Sequence, residues 1–75
     1  MSNRHLLLLQ ELIEDIEYEG FTITSRSGPF PGHGTYIIKK GNNVIEVAYR
    51  YDESKEIVIN ILKDAWRKLK NAKIN

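Results

Sequence analysis

Residues 36–51 read YIIKKGNNVIEVAYRY, and the predicted fold depends on this stretch. Two runs rich in β-branched and aromatic residues flank Gly41-Asn42-Asn43, whose residue types tolerate the positive φ angles of tight turns. The stretch therefore predicts a β-hairpin. With a two-residue turn, the apolar side chains of both runs lie on the same face of the sheet. With a three-residue turn, the side chains of one run would change face relative to the other. The residues that share a face in the first case are Tyr36, Ile38, Ile45, Val47 and Tyr49.

A helical pattern precedes the hairpin. Apolar residues recur three and four positions apart, which indicates a helix from about Asn3 to Tyr18 with one apolar stripe. Ser2 or Asn3 is expected to cap its start, and Gly20 is expected to end it, because glycine takes a left-handed cap without strain. The stripe consists of Leu6, Leu9, Leu12, Ile13 and Ile16.

A second helical pattern follows the hairpin. It starts near Asp52 or Ser54, both good capping residues, and runs to about Asn71. Ile59 and Trp66 are expected to flank its apolar stripe, and the opposite face is basic. The stripe is Val58, Ile61, Leu62, Ala65 and Leu69, and the basic face carries Lys63, Arg67 and Lys70.

Between the first helix and the hairpin, residues 21–26 alternate apolar and polar side chains and predict a half-buried strand with Phe21 and Ile23 inward. Residues 27–34 hold three glycines and two prolines, so they predict an irregular loop. Either proline could follow a cis bond, but trans is the expectation.

The order α-β-β-β-α in 75 residues predicts one α+β domain over residues 1–75, with two helices on one face of a three-stranded antiparallel sheet. The other face is left to solvent or to a partner. A core of this size is only marginally stabilising, so we expect either a monomer or a dimer.

The composition excludes several classes of protein. With no cysteine there is no disulfide, thiolate zinc site or cysteine nucleophile, and we expect a cytoplasmic protein, because small secreted domains usually carry disulfides. The run Leu6-Leu7-Leu8-Leu9 is too short for a signal peptide or a membrane span. His5 and His33 have no acid at ligand spacing, and the glycine loop lacks the lysine of a phosphate cradle. We therefore expect no metal, no cofactor and no enzymatic activity, although His33 could act as a general acid or base.

Charge is distributed unevenly along the chain. Residues 1–20 carry one arginine against five acids, whereas residues 21–75 carry ten lysines and arginines against five acids. This indicates either ordinary solvated helix faces or two electrostatic poles that steer partners. Phe30, braced by Pro29 and Pro31, is expected to anchor a partner or to plug the end of the core. The candidate partner-binding residues are Glu11, Glu14, Asp15, Glu17, Glu19, Phe30 and His33.

The element order, with Gly28-Pro29, His33 and Ser54-Lys55-Glu56, resembles the double-stranded-RNA-binding domain and the related HicA-type toxins. This resemblance implies that the His33 loop enters an RNA minor groove and that Lys55 meets phosphates. The nucleic-acid-binding residues on this hypothesis are His33, Lys39, Lys40, Lys55, Lys63 and Arg67. A HicA-like ribonuclease would use a histidine on its second strand, and His33 is predicted to precede that strand.

A second resemblance is to the small Cas9 inhibitors of Listeria phages. Leu12-Ile13-Glu14-Asp15-Ile16 with Phe21-Thr22-Ile23 is similar to the first helix and strand of that family, and Ile37-Ile38 and the stretch from Lys63 to Trp66 fall at matching distances. The inhibitors mimic DNA with acidic loops, but the corresponding turn here starts with Lys39-Lys40. The resemblance therefore implies a site on the first helix or on the Gly28–Gly34 loop.

The function expected first is a phage or mobile-element inhibitor that binds a host protein or ribonucleoprotein effector, such as a CRISPR nuclease, and blocks its nucleic-acid groove. The alternatives are a double-stranded-RNA-binding module and, third, a HicA-like ribonuclease.

Overall fold

The computed structural model of the protein describes residues 3–72 and contains five elements in the order α-β-β-β-α. The strands form one antiparallel sheet in the order β1-β2-β3. The predicted α+β class and element order are thereby confirmed. The elements are α1 (Asn3–Tyr18), β1 (Thr22–Ser27), β2 (His33–Lys40), β3 (Asn43–Arg50) and α2 (Lys55–Asn71).

The hairpin between β2 and β3 closes with a two-residue turn. Lys40 lies opposite Asn43, and of the two turn residues only Gly41 takes a positive φ, at 63°. Ile38 therefore lies opposite Ile45, on the side of the sheet that packs against the core. This confirms the first of the two predicted pairings.

The core lies between that side of the sheet and both helices. Its three fully buried large side chains are Ile16 from α1, Ile38 from β2 and Leu62 from α2, one from each helix and one from the central strand. Both helices must therefore cover the same face, as predicted. The other buried apolar residues are Leu9, Leu12, Phe21, Val58, Ile59, Ala65 and Leu69.

The two helices run parallel to each other. At their carboxyl ends, Lys70 Nζ lies 3.9 Å from a carboxylate oxygen of Glu19. Nearer their amino ends, Leu9 and Val58 line one crevice. We call the end of the sheet at Gly41-Asn42, beside the helix carboxyl ends, the turn end, and the end at the β1–β2 loop, beside the amino ends, the loop end. Lys40 Nζ donates to Glu19 O at 3.3 Å at the turn end, and Tyr51 N–H donates to Gly32 O at 2.9 Å at the loop end.

The element boundaries follow local capping chemistry. Gly20 has a φ of 95°, and Phe21 N–H donates to Ile16 O at 3.2 Å, which closes the last turn of α1 as predicted. Ser54 is the cap of α2, because its Oγ accepts from Ile57 N–H at 3.3 Å. The predicted caps of α1, Ser2 and the side chain of Asn3, lie outside the described part of the chain.

Three predictions about the stripes and strands were wrong in detail. Leu6 is 44% exposed, so the buried part of the α1 stripe begins at Leu9. Ile59 is buried and Ile61 only half-buried, since the flank of α2 that carries Ile59 and Trp66 faces Phe21 and α1. β1 spans Thr22–Ser27, one residue later than predicted, although Phe21 does point into the core.

The loop between β1 and β2 is shorter than predicted, because β2 begins at His33. The Gly28–Pro29 bond is cis, contrary to expectation. The base of the loop is fixed by Gly28 N–H donating to His33 O at 2.9 Å and by Thr35 Oγ1–H donating to Gly28 O at 3.0 Å. Its tip, Pro29 to Gly32, is exposed.

Neither of the two helices in residues 3–72 is long and apolar enough to cross a bilayer.

Ile38 and Ile37 provide a matched test of this packing, because they are neighbours on β2 that point to opposite faces. Ile38→Ala should lower the free energy of unfolding by roughly 2–5 kcal/mol, through lost burial and the cavity that remains. Ile37→Ala should cost less than about 1.5 kcal/mol, because Ile37 is only half-buried on the uncovered face. Urea unfolding measures both, and equal losses would contradict helices packed on one face only.

Candidate protein-binding surface

The outer face of α1 carries an exposed ridge of acidic and apolar side chains. Leu7, Glu11, Glu14 and Tyr18 are spaced by four, three and four residues, so they lie along one line of the helix. This line points away from the buried stripe of Leu9, Leu12 and Ile16. Tyr18 is 91% exposed and Leu7 is 59% exposed, so each end of the ridge presents a large apolar group to solvent. We call these four residues the α1 ridge.

Averaged along the helix axis, the acids in the second half of α1 are about as dense as the phosphates of a nucleic acid strand. Four acids occupy the seven residues from Glu11 to Glu17, which span about 9 Å of helix axis. That is roughly one negative charge per 3 Å, close to the ~3.4 Å spacing of phosphates along one DNA strand. All four side chains are exposed; the two beside the ridge are Asp15 and Glu17.

Glu19 differs from these four acids because it has a cationic neighbour. Its carboxylate lies 3.9 Å from Lys70 Nζ, and its backbone carbonyl accepts from Lys40 Nζ. Glu19 directly follows α1, and within residues 3–72 it is the one predicted partner-binding acid that forms an ion pair. Both partners are substantially exposed, so the pair contributes little to stability, but it does occupy Glu19.

Phe30 lies at the exposed tip of the β1–β2 loop, and His33, half-buried, begins β2 directly after it. Phe30 is 65% exposed, and its ring meets the His33 ring edge-on with centroids 6.0 Å apart. His33 Nδ1 lies 3.1 Å from Pro31 O, a distance at which Nδ1–H donates to the carbonyl. Phe30 therefore projects outward rather than plugging the core. His33 is the first residue of β2, so the prediction that it precedes the second strand was wrong. That predicted position was the reason given against a HicA-like site.

The structure does not bring Phe30 and the acids of α1 together. The loop hydrogen-bonds to Tyr51 just before α2 begins, whereas Glu19 lies beside Lys70 at the end of α2. The 17 residues of α2 span about 25 Å, so Phe30 and Glu19 lie at opposite ends of the domain. The predicted partner-binding set therefore divides into the α1 surface and the loop tip.

The cationic residues predicted for nucleic-acid binding divide into three places. His33 and Lys55 lie at the loop end, while Lys39 and Lys40 lie at the other end of β2, about 20 Å away. Lys63 and Arg67 are one turn apart on the exposed face of α2. No single face therefore collects all six.

The acidic and basic halves of the sequence do not form separate poles in space. Because the helices are parallel, the acidic carboxyl-terminal half of α1 lies beside the basic last turns of α2. Lys70 also lies 4.1 Å over the Trp66 ring, and Lys40 lies 4.7 Å over the Phe21 ring, so both cations are held at the turn end. The prediction of two opposite poles was wrong for this reason.

Sequence reasoning missed the two apolar members of the α1 ridge. The sequence indicated Leu7 only as a member of the run Leu6–Leu9 and Tyr18 only as the last residue of the first helix. The signal was present, because both fall on the helical period of Glu11 and Glu14, opposite the buried stripe.

A cluster of three tyrosines at the loop end was also not foreseen as a unit. Tyr36 and Tyr49 stack with centroids 4.9 Å apart, and Tyr51 meets Tyr49 edge-on at 5.9 Å. Gly34 makes room for them, since a Cβ there would lie 2.7 Å from the Tyr49 ring. The pKa of Tyr36 is raised above the ordinary tyrosine value of 10.0. Burial is the larger cause, and the adjacent Tyr49 phenol is the smaller one.

This pKa shift predicts a loss of stability in alkaline solution. A raised pKa means that the fold favours the neutral phenol, so the stabilisation is complete below about pH 10 and is lost as the pH rises through the folded-state value. Urea unfolding from pH 9 to about pH 11.5 should show a shallower fall in Tyr36→Phe than in the wild type. An unchanged slope in Tyr36→Phe would contradict the assignment.

Comparison with models of protein families, with curated proteins and with solved structures finds no match for this chain. The resemblances to the Cas9 inhibitors and to the double-stranded-RNA-binding domain therefore stay predictions.

Within residues 3–72, no group of three or more histidine, aspartate or glutamate side chains is arranged to hold a metal ion.

Proposed function

We propose that the protein is a non-enzymatic binding domain that uses the outer face of α1 to occupy a basic groove on a partner protein. The observation that carries this proposal is the α1 ridge, in which two carboxylates that form no ion pair with any residue from 3 to 72 lie between two exposed apolar side chains.

The chemistry of the ridge favours a protein partner over a free cation. Exposed tyrosine is enriched among the residues that dominate binding energy, because its ring contributes a large apolar area and its hydroxyl can still hydrogen-bond. Tyr18 can supply such an anchor, and the acids around it would steer the encounter toward a positively charged surface. A bare cation would not use the apolar ends of the ridge.

The charge spacing indicates which basic surface fits. A groove built for a nucleic acid strand has cationic groups that meet about one negative charge per ~3.4 Å of axis, and the acids from Glu11 to Glu17 reach a similar average charge density along the helix axis. The proposed partner is accordingly a nucleic-acid enzyme of the host, with a CRISPR nuclease as the first candidate. The domain would block the groove by occupying it.

The test compares two variants that change net charge equally. Glu11→Gln/Glu14→Gln/Glu17→Gln removes three charges from α1. The control, Asp52→Asn/Glu53→Gln/Glu56→Gln, removes three charges at the start of α2. Both should retain the circular dichroism spectrum of the wild type.

Each protein is assayed by pull-down with a guide-loaded CRISPR nuclease and by competition with target DNA in a gel-shift assay. The wild type should bind and compete, and its affinity should fall with salt between about 50 and 300 mM. The α1 variant should bind at least about tenfold more weakly, and the control should stay within about threefold. The proposal fails if the nuclease does not co-purify with the wild type, or if both variants lose affinity equally.

A second candidate, binding of double-stranded RNA, is favoured by one observation. The Tyr51–Gly32 hydrogen bond holds the His33 loop beside the residues that lead into α2, so His33 and Lys55 lie at the same end of the domain. Double-stranded-RNA-binding domains use a loop and a helix start in this relation.

RNA titrations distinguish the two candidates. On the RNA hypothesis a duplex of about 16 base pairs should bind with micromolar or better affinity at about 50 mM salt, and His33→Ala/Lys55→Ala should weaken binding at least tenfold. Lys39→Ala/Lys40→Ala, at the far end of the sheet, should change affinity much less. Absent or salt-independent binding would remove this candidate.

A further inference from the structure

The free edge of β3 is a long, regular and unprotected strand edge. β3 pairs with β2 through eight consecutive residues without a bulge, and its sequence NVIEVAYR contains no proline. No element of the described chain pairs with its other side, where unbonded backbone groups form a template for a further strand.

The hairpin fixes which backbone groups point outward. Along a strand of an antiparallel sheet, the backbone N–H and C=O groups of one residue point to the neighbouring strand, and those of the next residue point to the opposite side. The two residues that flank a two-residue turn hydrogen-bond to each other, so their groups point inward, between the two strands. Asn43 therefore starts the inward set, and Tyr51 N–H, which donates to Gly32 O, continues it. The N–H and C=O groups that point outward belong to Val44, Glu46, Ala48 and Arg50.

The side chains of these outward residues are complementary to a second copy of the same strand. If two β3 strands pair antiparallel with the twofold axis at Ala48, Glu46 of each copy lies directly opposite Arg50 of the other. Opposite charges facing each other across strands stabilise such a pairing. Both residues now make only exposed ion pairs, Glu46 with Arg26 at 3.4 Å and Arg50 with Asp52 at 3.2 Å, and exposed pairs of this kind exchange at little cost.

The covering helix adds apolar surface along the same edge. Trp66 and Lys70 face Phe21 and Glu19, so the opposite flank of α2 faces away from α1, on the side of β3. Ile57 and Ile61, one turn apart, lie on this flank, and Ile57 is 45% exposed. In a pair of copies joined through β3, these two flanks would meet across the axis and bury the isoleucines.

The other edge of the sheet lacks this complementarity. β1 spans six residues, and its one charged side chain is Arg26, so two β1 strands would offer no opposite charges to each other. We infer that two copies of this chain associate through β3 into a six-stranded antiparallel sheet, with Glu46 and Arg50 paired twice across the axis. This inference is independent of the proposed function, and its test needs no partner.

The first test is analytical ultracentrifugation of the full chain from about 5 to 500 µM, where the wild type should pass from monomer to dimer. Ala48→Pro removes an outward N–H that the monomer does not use, so the monomer fold should remain and the dimer should weaken at least about tenfold. Ser25→Pro is the matched control, because the Ser25 N–H points outward from the β1 edge. It should leave dimerisation unchanged.

A charge exchange provides a test that does not depend on proline. Glu46→Arg places two arginines opposite each other and should weaken the dimer, and adding Arg50→Glu should restore it.

Hydrogen exchange supplies a site-specific readout, since the amides of Glu46 and Ala48 should be protected at high protein concentration and exposed on dilution. A wild type that stays monomeric at 500 µM, or dimers that Ser25→Pro rather than Ala48→Pro abolishes, would overturn the inference.

Discussion

The burial of Ile38 against the two helices is the constraint on which the rest of the structure depends. Ile38 lies in the central strand, and together with Ile16 and Leu62 it is fully buried. Side chains alternate across a strand, so a register shift of one residue would place Ile37 and Lys39 inward in its place. Lys39 could not be buried there without a partner, and this cost fixes the register, the covered face and the direction of every other strand residue.

The surfaces available to a partner follow from that constraint. Once the helices cover one face, α1 can expose only the side opposite Leu9, Leu12 and Ile16, and that side carries the α1 ridge. The loop tip is held away from the core by bonds at its base, and the free edges of β1 and β3 remain because three strands cannot close on themselves. These surfaces lie on different elements, so the partner proposed for α1 and the second copy proposed for β3 would not compete for one surface.

The elements were predictable because each leaves a local signature, and the site was less so because it depends on how the elements meet. Helical spacing, Gly20, Ser54 and the Gly41-Asn42 turn all act within a few residues, and the elements and boundaries predicted from them were confirmed. The relative direction of the helices is set by contacts far apart in sequence, such as Glu19 with Lys70. For that reason the sequence placed Phe30 and Glu19 in one candidate set, whereas the fold puts them at opposite ends of the domain. The difference between Ile59 and Ile61 has the same origin, because burial on α2 is decided by the side on which α1 lies.

The parallel arrangement of the helices also has an electrostatic cost. Each helix carries a macrodipole equivalent to about half a negative charge at its carboxyl end, and two parallel helices bring these like ends together. Glu17 and Glu19 add to the negative field there, and Lys40, Lys68 and Lys70 oppose it. Much of the basic surplus in the later part of the chain therefore acts as an internal counter-charge. Among residues 3–72 the acids farther from that end, Glu11 and Glu14, have no ion-pair partner, which is how a chain of net positive charge presents a negative helix face.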